Sequence, residues 1–244
     1  MKKQGRHSET HYGTSIKIAA SAMLVVVMLA ALAWGVVVLK NPKTLPFRQV
    51  KISANNAHIK MTALRTVVAT HLEGGFFSLQ VESLRRSFLN LPWVKGVSFR
   101  RIWPDQLIVN VQERHAIGRW GDQLISAEGK LFRPAAASIP QGLPLLEGPA
   151  DSLKEVLKQY QYLRKSLSTI GVTISELQLS PRHAWHLVLD GHLDVILGRD
   201  NVERRFKRFI ALYRKVVGAR EKDVVSIDLR YPNGLAIKWK ARSN

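Results

Sequence analysis

The chain has 244 residues, 46% of them hydrophobic, and its 37 Lys and Arg against 18 Asp and Glu give a formal net charge of +19. This length holds one or two ordinary domains, and the hydrophobic content excludes wholesale disorder. The absence of Cys excludes disulfides, thiolate metal sites and cysteine nucleophiles, while the positive charge favours an anionic partner: nucleic acid, acidic lipid, cell-wall polymer or an acidic protein.

The first predicted element is an uncharged apolar segment at residues 18–39. As a helix it would span about 33 Å, enough for a hydrocarbon core of about 30 Å. A buried core helix would usually carry a polar face. A cleaved signal peptide is the better alternative, because Ala31-Leu32-Ala33 has the form of a cleavage site, but the apolar run continues through Leu39. We therefore predict an uncleaved single-pass anchor in a lipid bilayer.

Basic residues flank this segment on both sides and leave its orientation open. Four precede it (Lys2, Lys3, Arg6, Lys17) and four follow it (Lys40, Lys43, Arg48, Lys51). The two sides are nearly equal under the positive-inside rule. Residues 1–17 are a predicted tail. Residues 40–45 are a predicted short, stiff linker, because Asn41 precedes Pro42 and Leu45 precedes Pro46.

Residues 46–114 are predicted to form a compact module in the order β-α-α-β-β. The strands are residues 47–53, 94–101 and 106–113, recognised by alternating apolar residues. Thr62 is the expected N-cap of the first helix, which Gly74-Gly75 would end. Pro92 stops the second helix, and Pro104-Asp105 is a turn.

Residues 115–244 are predicted to form a second, mixed α/β domain with a largely antiparallel sheet, so the fold class is α+β. Asp151 is the expected N-cap of a long helix that Gly171 closes. Asp190-Gly191 predicts a hairpin turn, and Asn233-Gly234 predicts another before a final strand at residues 235–240. An amphipathic helix at residues 202–217 carries Arg204, Arg205, Lys207 and Arg208, which we interpret as a solvated face; an acidic protein or lipid surface is the alternative.

Catalytic and nucleic-acid motifs are missing from the sequence. It lacks G-x-S-x-G, H-E-x-x-H and G-x-x-x-x-G-K-[ST], and it has no zinc-finger or RNP pattern. His183, His186 and His192 lie close in sequence and could in principle bind zinc, but a strand histidine is more often polar surface. Asp190 and Asp194 resemble a carboxylate pair, but Asp190 is explained by its turn. We expect no enzyme activity, no metal, no cofactor, no small-molecule substrate and no nucleic-acid partner.

The chain resembles the FtsQ/DivIB family of bacterial cell-division proteins along essentially its whole length. Pro46-Phe47-Arg48-Gln49-Val50, Leu91-Pro92-Trp93-Val94 and Arg100-Arg101-Ile102-Trp103-Pro104 match the family's POTRA domain, as do residues 107–114. Residues 145–149 and 228–236 match its β domain. The tail and the C-terminus are shorter than in many members of the family.

The resemblance implies a non-enzymatic scaffold at the division septum. It implies a single-pass inner-membrane protein with a cytoplasmic N-terminus and periplasmic POTRA (46–114) and β (115–244) domains. The implied partners are FtsB and FtsL, held in one complex, and other division proteins such as FtsK, FtsW and FtsI. The alternative is an export or outer-membrane assembly factor, since POTRA modules also chaperone strands by augmentation.

The resemblance also implies a partner-binding site for FtsB around the final strand. Its implied residues are Arg182, Arg230, Tyr231, Asn233, Gly234, Leu235, Ala236 and Trp239. The final strand would lie at a sheet edge, where its backbone can pair with a partner strand. From the residues alone a paired or blunted edge is favoured, with Lys238 and Lys240 as charges that oppose aggregation.

Overall fold

The computed structural model describes residues 11–40, 44, 46–54, 58–71 and 75–241. Within this range the chain divides into two units, residues 1–112 and 113–244. Most of the predicted tail and linker, together with Leu72 and Gly74, lies outside the described residues.

The first element is a long helix, α1 (His11–Lys40). Its segment Ala20–Val38 is long and apolar enough to cross a membrane, and none of it is buried against the rest of the protein. At about 1.5 Å per residue, such a segment matches a hydrocarbon core of about 30 Å. The helix therefore fits the predicted single membrane pass.

The rest of the first unit has the predicted β-α-α-β-β order. Its elements are β1 (Gln49–Ala54), α2 (Met61–Ala69), α3 (Val81–Leu89), β2 (Val94–Ile102) and β3 (Gln106–Glu113). The strand order is β1-β3-β2, and β1 pairs with β3 in parallel. Apolar residues at helical spacing, such as Leu64 and Val68 in α2 and Leu84 and Phe88 in α3, pack against the alternating Leu107, Val109 and Val111 of β3.

Both predicted boundaries of α2 were wrong. The helix starts at Met61, so Thr62 already lies in the first turn, where a side chain can no longer cap; Lys60 is the N-cap residue and makes no side-chain cap bond. The helix ends at Ala69, before the glycines. There the Thr70 hydroxyl donates to the Val67 carbonyl at 3.0 Å, and the His71 Nδ1 also bonds that carbonyl at 3.0 Å.

The second unit contains a nine-stranded mixed sheet and two long helices. Its elements are β4 (Ala116–Trp120), β5 (Gln123–Ser126), β6 (Leu131–Phe132), β7 (Leu145–Glu147), α4 (Leu153–Leu167), β8 (Ile174–Leu179), β9 (Trp185–Leu189), β10 (Leu193–Gly198), α5 (Val202–Val216), β11 (Val224–Asp228) and β12 (Ala236–Trp239). Short 3₁₀ helices span Ala136–Ser138 and Gly218–Asp223. The strand order is β12-β11-β10-β9-β8-β7-β4-β5-β6.

Most neighbouring strands of this sheet are antiparallel, as predicted. The parallel pairs are β4 with β7, β7 with β8, and β10 with β11. α4 joins β7 to β8 and α5 joins β10 to β11, because parallel neighbours need a crossover. Buried residues that alternate along the central strands, such as Leu187 and Leu189 of β9, pack in one core with Phe206 and Phe209 of α5.

Two local predictions in this unit were wrong. Asp151 does not cap α4: the N-cap residue is Ser152, whose hydroxyl instead donates to the Pro149 carbonyl at 2.7 Å and closes a turn that contains Asp151. Asn233-Gly234 does not form a tight hairpin turn: β11 and β12 are antiparallel, but residues 229–235 connect them, and neither residue has a left-handed φ. At Asp190-Gly191 both φ angles are positive, 47° and 75°, as the predicted turn requires.

Candidate functional site

The last strand, β12, forms one edge of the sheet and pairs with β11 on one side. The Lys240 N–H donates to the Asp223 carbonyl at 2.7 Å, which fixes the direction of the backbone groups. Because alternate residues of a strand direct their backbone groups to the same side, Ala236 and Lys238 face β11. Leu235, Ile237 and Trp239 therefore direct their N–H and C=O groups towards the open side, which we call the docking edge.

The side chains of β12 separate into an inner and an outer set. Leu235, Ile237 and Trp239 are half-buried and pack against the core of the unit. Ala236, Lys238 and Lys240 are exposed. The Trp239 ring also lies under the Arg220 guanidinium, 4.4 Å from its centroid, a favourable cation–π distance. Trp239 is thus part of the core that fixes β12, as well as a residue of its open side.

Strand directions bring most of the predicted site residues to one end of the sheet. Arg182 lies in the turn between β8 and β9, at the end where β10 and β11 finish, because β9 pairs antiparallel with both neighbours. Arg230, Tyr231 and residues 233–236 lie at the same end. From β9 to β11 is two strand spacings, about 10 Å. We call these residues the docking corner; Trp239 lies at the opposite end of β12.

Arg230 is held by a carboxylate of its own chain. Its Nη2 donates to Asp228 Oδ2 at 2.7 Å, its Nε donates to both oxygens at 3.0 Å, and its backbone N–H donates to Oδ1 at 2.9 Å. These hydrogen bonds lower the pKa of Asp228 against the opposing effect of its partial burial. The Arg230 side chain remains 60% exposed, so the guanidinium is oriented yet accessible to an acidic partner.

Tyr231 and the residues after it line an open depression. Tyr231 is 54% exposed, so much of its ring is accessible. Residues 231–236 line the depression of about 420 Å³. A side chain added at Gly234 would meet no atom within 4 Å, so the space above this backbone is open. The corner therefore offers an exposed ring, an oriented guanidinium and an accessible backbone together.

Sequence reasoning missed the role of Arg208. Its guanidinium donates to the Tyr231 carbonyl at 2.7 Å, to the Leu229 carbonyl at 3.3 Å and to the Pro232 carbonyl. Arg205 likewise donates to the Leu197 carbonyl at 2.9 Å, and both side chains are half-buried. The interpretation of a solvated face was therefore wrong for these two arginines and holds for the exposed Arg204 and Lys207. The sequence could have indicated this partial burial, because both arginines directly adjoin Phe206 and Phe209 of the apolar stripe.

The three neighbouring histidines do not converge on one point. His183 lies in the turn before β9 and His192 in the turn after it, at opposite ends of that strand. His186 Nε2 lies 3.4 Å from Asp194 Oδ1. Asp190 accepts hydrogen bonds from the Thr173 N–H and hydroxyl, at 2.9 and 2.6 Å, and so fixes its turn. Across the described part of the chain, no group of three His, Asp or Glu side chains could hold a metal ion.

Comparison with known proteins matches both units to family models. Residues 45–114 match the POTRA domain, FtsQ-type, and residues 118–230 match Cell division protein FtsQ/DivIB, C-terminal. A protein of Coxiella burnetii named Cell division protein FtsQ is 43% identical over 242 residues, covering 98% of this chain and 100% of the relative. Proteins of the same name from Burkholderia pseudomallei and Allochromatium vinosum are 35% and 34% identical; they cover 91% and 93% of this chain, and 91% and 90% of their own length is matched.

Proposed function

Because the chain belongs to the FtsQ/DivIB family of cell-division proteins, we propose that it is a non-enzymatic scaffold of the bacterial divisome. In this role it binds FtsB and FtsL through its β domain and so links early to late division proteins. Division proteins such as FtsK, FtsW and FtsI join the assembly around this complex. The relatives carry the name of a cell-division protein, and the family is not known for enzymes.

The proposed scaffold is a single-pass protein of the inner membrane, concentrated at the division septum. Residues 18–39 are its anchor, with the N-terminus in the cytoplasm. The POTRA domain (46–114) and the β domain (115–244) then lie in the periplasm. The exposed apolar surface of Ala20–Val38 supports the anchor, since such a surface is stable in lipid and costly in water.

The open docking edge of β12 is the observation that carries the proposed binding role. A strand of FtsB pairs there with the backbone groups of Leu235, Ile237 and Trp239, adding a tenth strand to the sheet. Side chains at the docking corner supply specificity. Arg182 and Arg230 bind carboxylates of the partner, and Tyr231 is its aromatic anchor. Asn233, Gly234 and Ala236 allow its backbone to approach closely.

Localisation and binding together test this function. A fluorescent fusion to the N-terminus, at native expression, should form a midcell band in constricting cells; a uniform membrane signal would contradict the scaffold and favour an export role. In pull-downs with the full-length chain, Tyr231→Ala should lose FtsB. The matched control is Leu131→Ala, at the opposite edge of the same sheet, which should retain it. Equal retention by both variants would exclude the docking corner as the site.

A further inference from the structure

We propose that Arg208 is a positioning residue that holds the β11–β12 loop in the shape that a partner strand requires. The proposal rests on the proposed function, because it concerns the same docking corner. We call its hydrogen bonds to the carbonyls of Leu229, Tyr231 and Pro232 the Arg208 clamp. These bonds join α5 to residues 21 to 24 positions further along the chain.

The loop has few other means of keeping its shape. Strand pairing ends at Asp228 and resumes at Ala236, so residues 230–235 lie outside the ladder. Asn233 and Gly234 do not form the tight turn that would fix a shorter hairpin. A guanidinium has several N–H donors in one rigid plane and can therefore bridge carbonyls from successive residues. It converts a stretch that lacks strand pairing into a defined platform.

The clamp is presented by a rigid element. Arg208 lies between Phe206 and Phe209, which are both 0% exposed and anchor α5 in the core. A side chain carried by such a helix holds its target more accurately than one on a second loop. The carbonyls that Arg208 holds belong to Tyr231 and to the residues beside Arg230, so the clamp also fixes where these two side chains leave the backbone.

The orientation of Arg208 indicates a positioning role and not a direct charge contact with the partner. The guanidinium is directed at carbonyls of its own chain, and its Nε is buried without a hydrogen-bond partner in the described structure. A buried N–H of this kind is costly and is tolerated only where the remaining bonds compensate. Ordering the loop before the partner arrives lowers the entropy cost of docking.

The test compares Arg208→Lys and Arg208→Gln in the full-length chain, embedded in nanodiscs. Lys keeps the charge but lacks the planar fork; Gln removes the charge. Arg204→Gln is the matched control, because Arg204 is exposed on the same helix. Without partner, amide hydrogen exchange at residues 230–235 should become faster in both Arg208 variants, with β9 and β10 unchanged. Binding of FtsB should weaken about tenfold in both, and the control should match the wild type.

Each outcome decides for or against the clamp. Wild-type exchange and affinity in both Arg208 variants would overturn it. Wild-type affinity in Arg208→Lys with weak binding in Arg208→Gln would assign the effect to charge, and would also overturn it. If the Gln variant loses protection in β9 and β10, it has unfolded, and the Lys variant alone decides. If the wild type itself fails to bind FtsB, the proposed function fails, while loop exchange still decides whether Arg208 holds the loop.

Discussion

Replacing Ile237 by proline should impair docking through the backbone alone. Ile237 directs its N–H to the open side of β12, because the backbone groups of Lys238 and Lys240 face β11. Proline removes that donor and places its ring where a partner carbonyl would lie, yet an edge strand tolerates it on the unpaired side. The variant therefore removes backbone pairing while the β11–β12 ladder stays intact.

The size of the effect follows from the number of bonds lost. A strand paired along Leu235, Ile237 and Trp239 makes about six backbone bonds, two for each residue that faces outward. Proline at position 237 removes the hydrogen bond that the N–H of this residue would donate, and its ring prevents the adjacent hydrogen bond to the partner strand. At about 0.5–1.5 kcal/mol each, the loss is about 1–3 kcal/mol, or a Kd for FtsB raised about 5- to 150-fold.

Ile237→Ala is the matched control for this experiment. It loses the same half-buried side chain but keeps the N–H, so the difference between the two variants isolates the backbone donor. The Kd for FtsB is measured with each full-length variant in nanodiscs by biolayer interferometry. Equal Kd values for Ile237→Pro and Ile237→Ala would refute the pairing of a strand with the docking edge.

Three further substitutions test the electrostatics and packing of the second unit. Because Arg230 lowers the pKa of Asp228 in the folded state, the Asp228 carboxylate stabilises the fold at pH values above its unfolded pKa of about 4. This stabilisation is lost as the pH falls below that value and through the folded pKa. In chemical denaturation at several pH values, Asp228→Asn should therefore lose less stability at acid pH than the wild type does. Gly148→Ala should lower the free energy of unfolding by about 1–3 kcal/mol, because the added Cβ overlaps Ser152 Oγ. Phe206→Ala should cost about 3–5 kcal/mol, because the ring is fully buried.

Each of these has a result that would contradict it. If the free energy of unfolding falls equally at acid pH in the wild type and in Asp228→Asn, the contact with Arg230 adds nothing to the stability of the fold. Gly234→Ala is the control for Gly148→Ala, since nothing lies within 4 Å of its added Cβ, and equal losses would remove the steric explanation. Phe77→Ala, at a ring 48% exposed, should cost far less than Phe206→Ala.

Local periodicity was enough to predict most of the elements. The alternation of Leu187 and Leu189 with polar residues, followed by Asp190-Gly191, predicts a strand and a turn, because both depend on neighbouring residues only. The apolar stripe of α5 likewise requires only the helical repeat, and Phe206 and Phe209 are buried as expected. The order of elements in the first unit follows from the same kind of signal.

The details that sequence could not predict depend on contacts made at a distance or on the exact path of the chain. Ser152 and Asp151 are both acceptable caps, and only the turn at Pro149 decides between them. Asn233-Gly234 favours a tight turn locally, but the actual loop is longer and is bonded to Arg208, 24 residues away from Pro232. The convergence of Arg182 with Arg230 at one corner required the strand order, which periodicity does not contain.

Because β12 packs against the core, binding of a partner to this strand affects the lifetime of the protein. Leu235, Ile237 and Trp239 belong to the same core as α5, so any ligand that holds β12 in place also resists unfolding of that core. A partner present at 100 times its Kd would add about 2.7 kcal/mol to the free energy of unfolding. Unoccupied copies would open more often and would be degraded first, so cellular proteases would adjust the amount of scaffold to the supply of its partner.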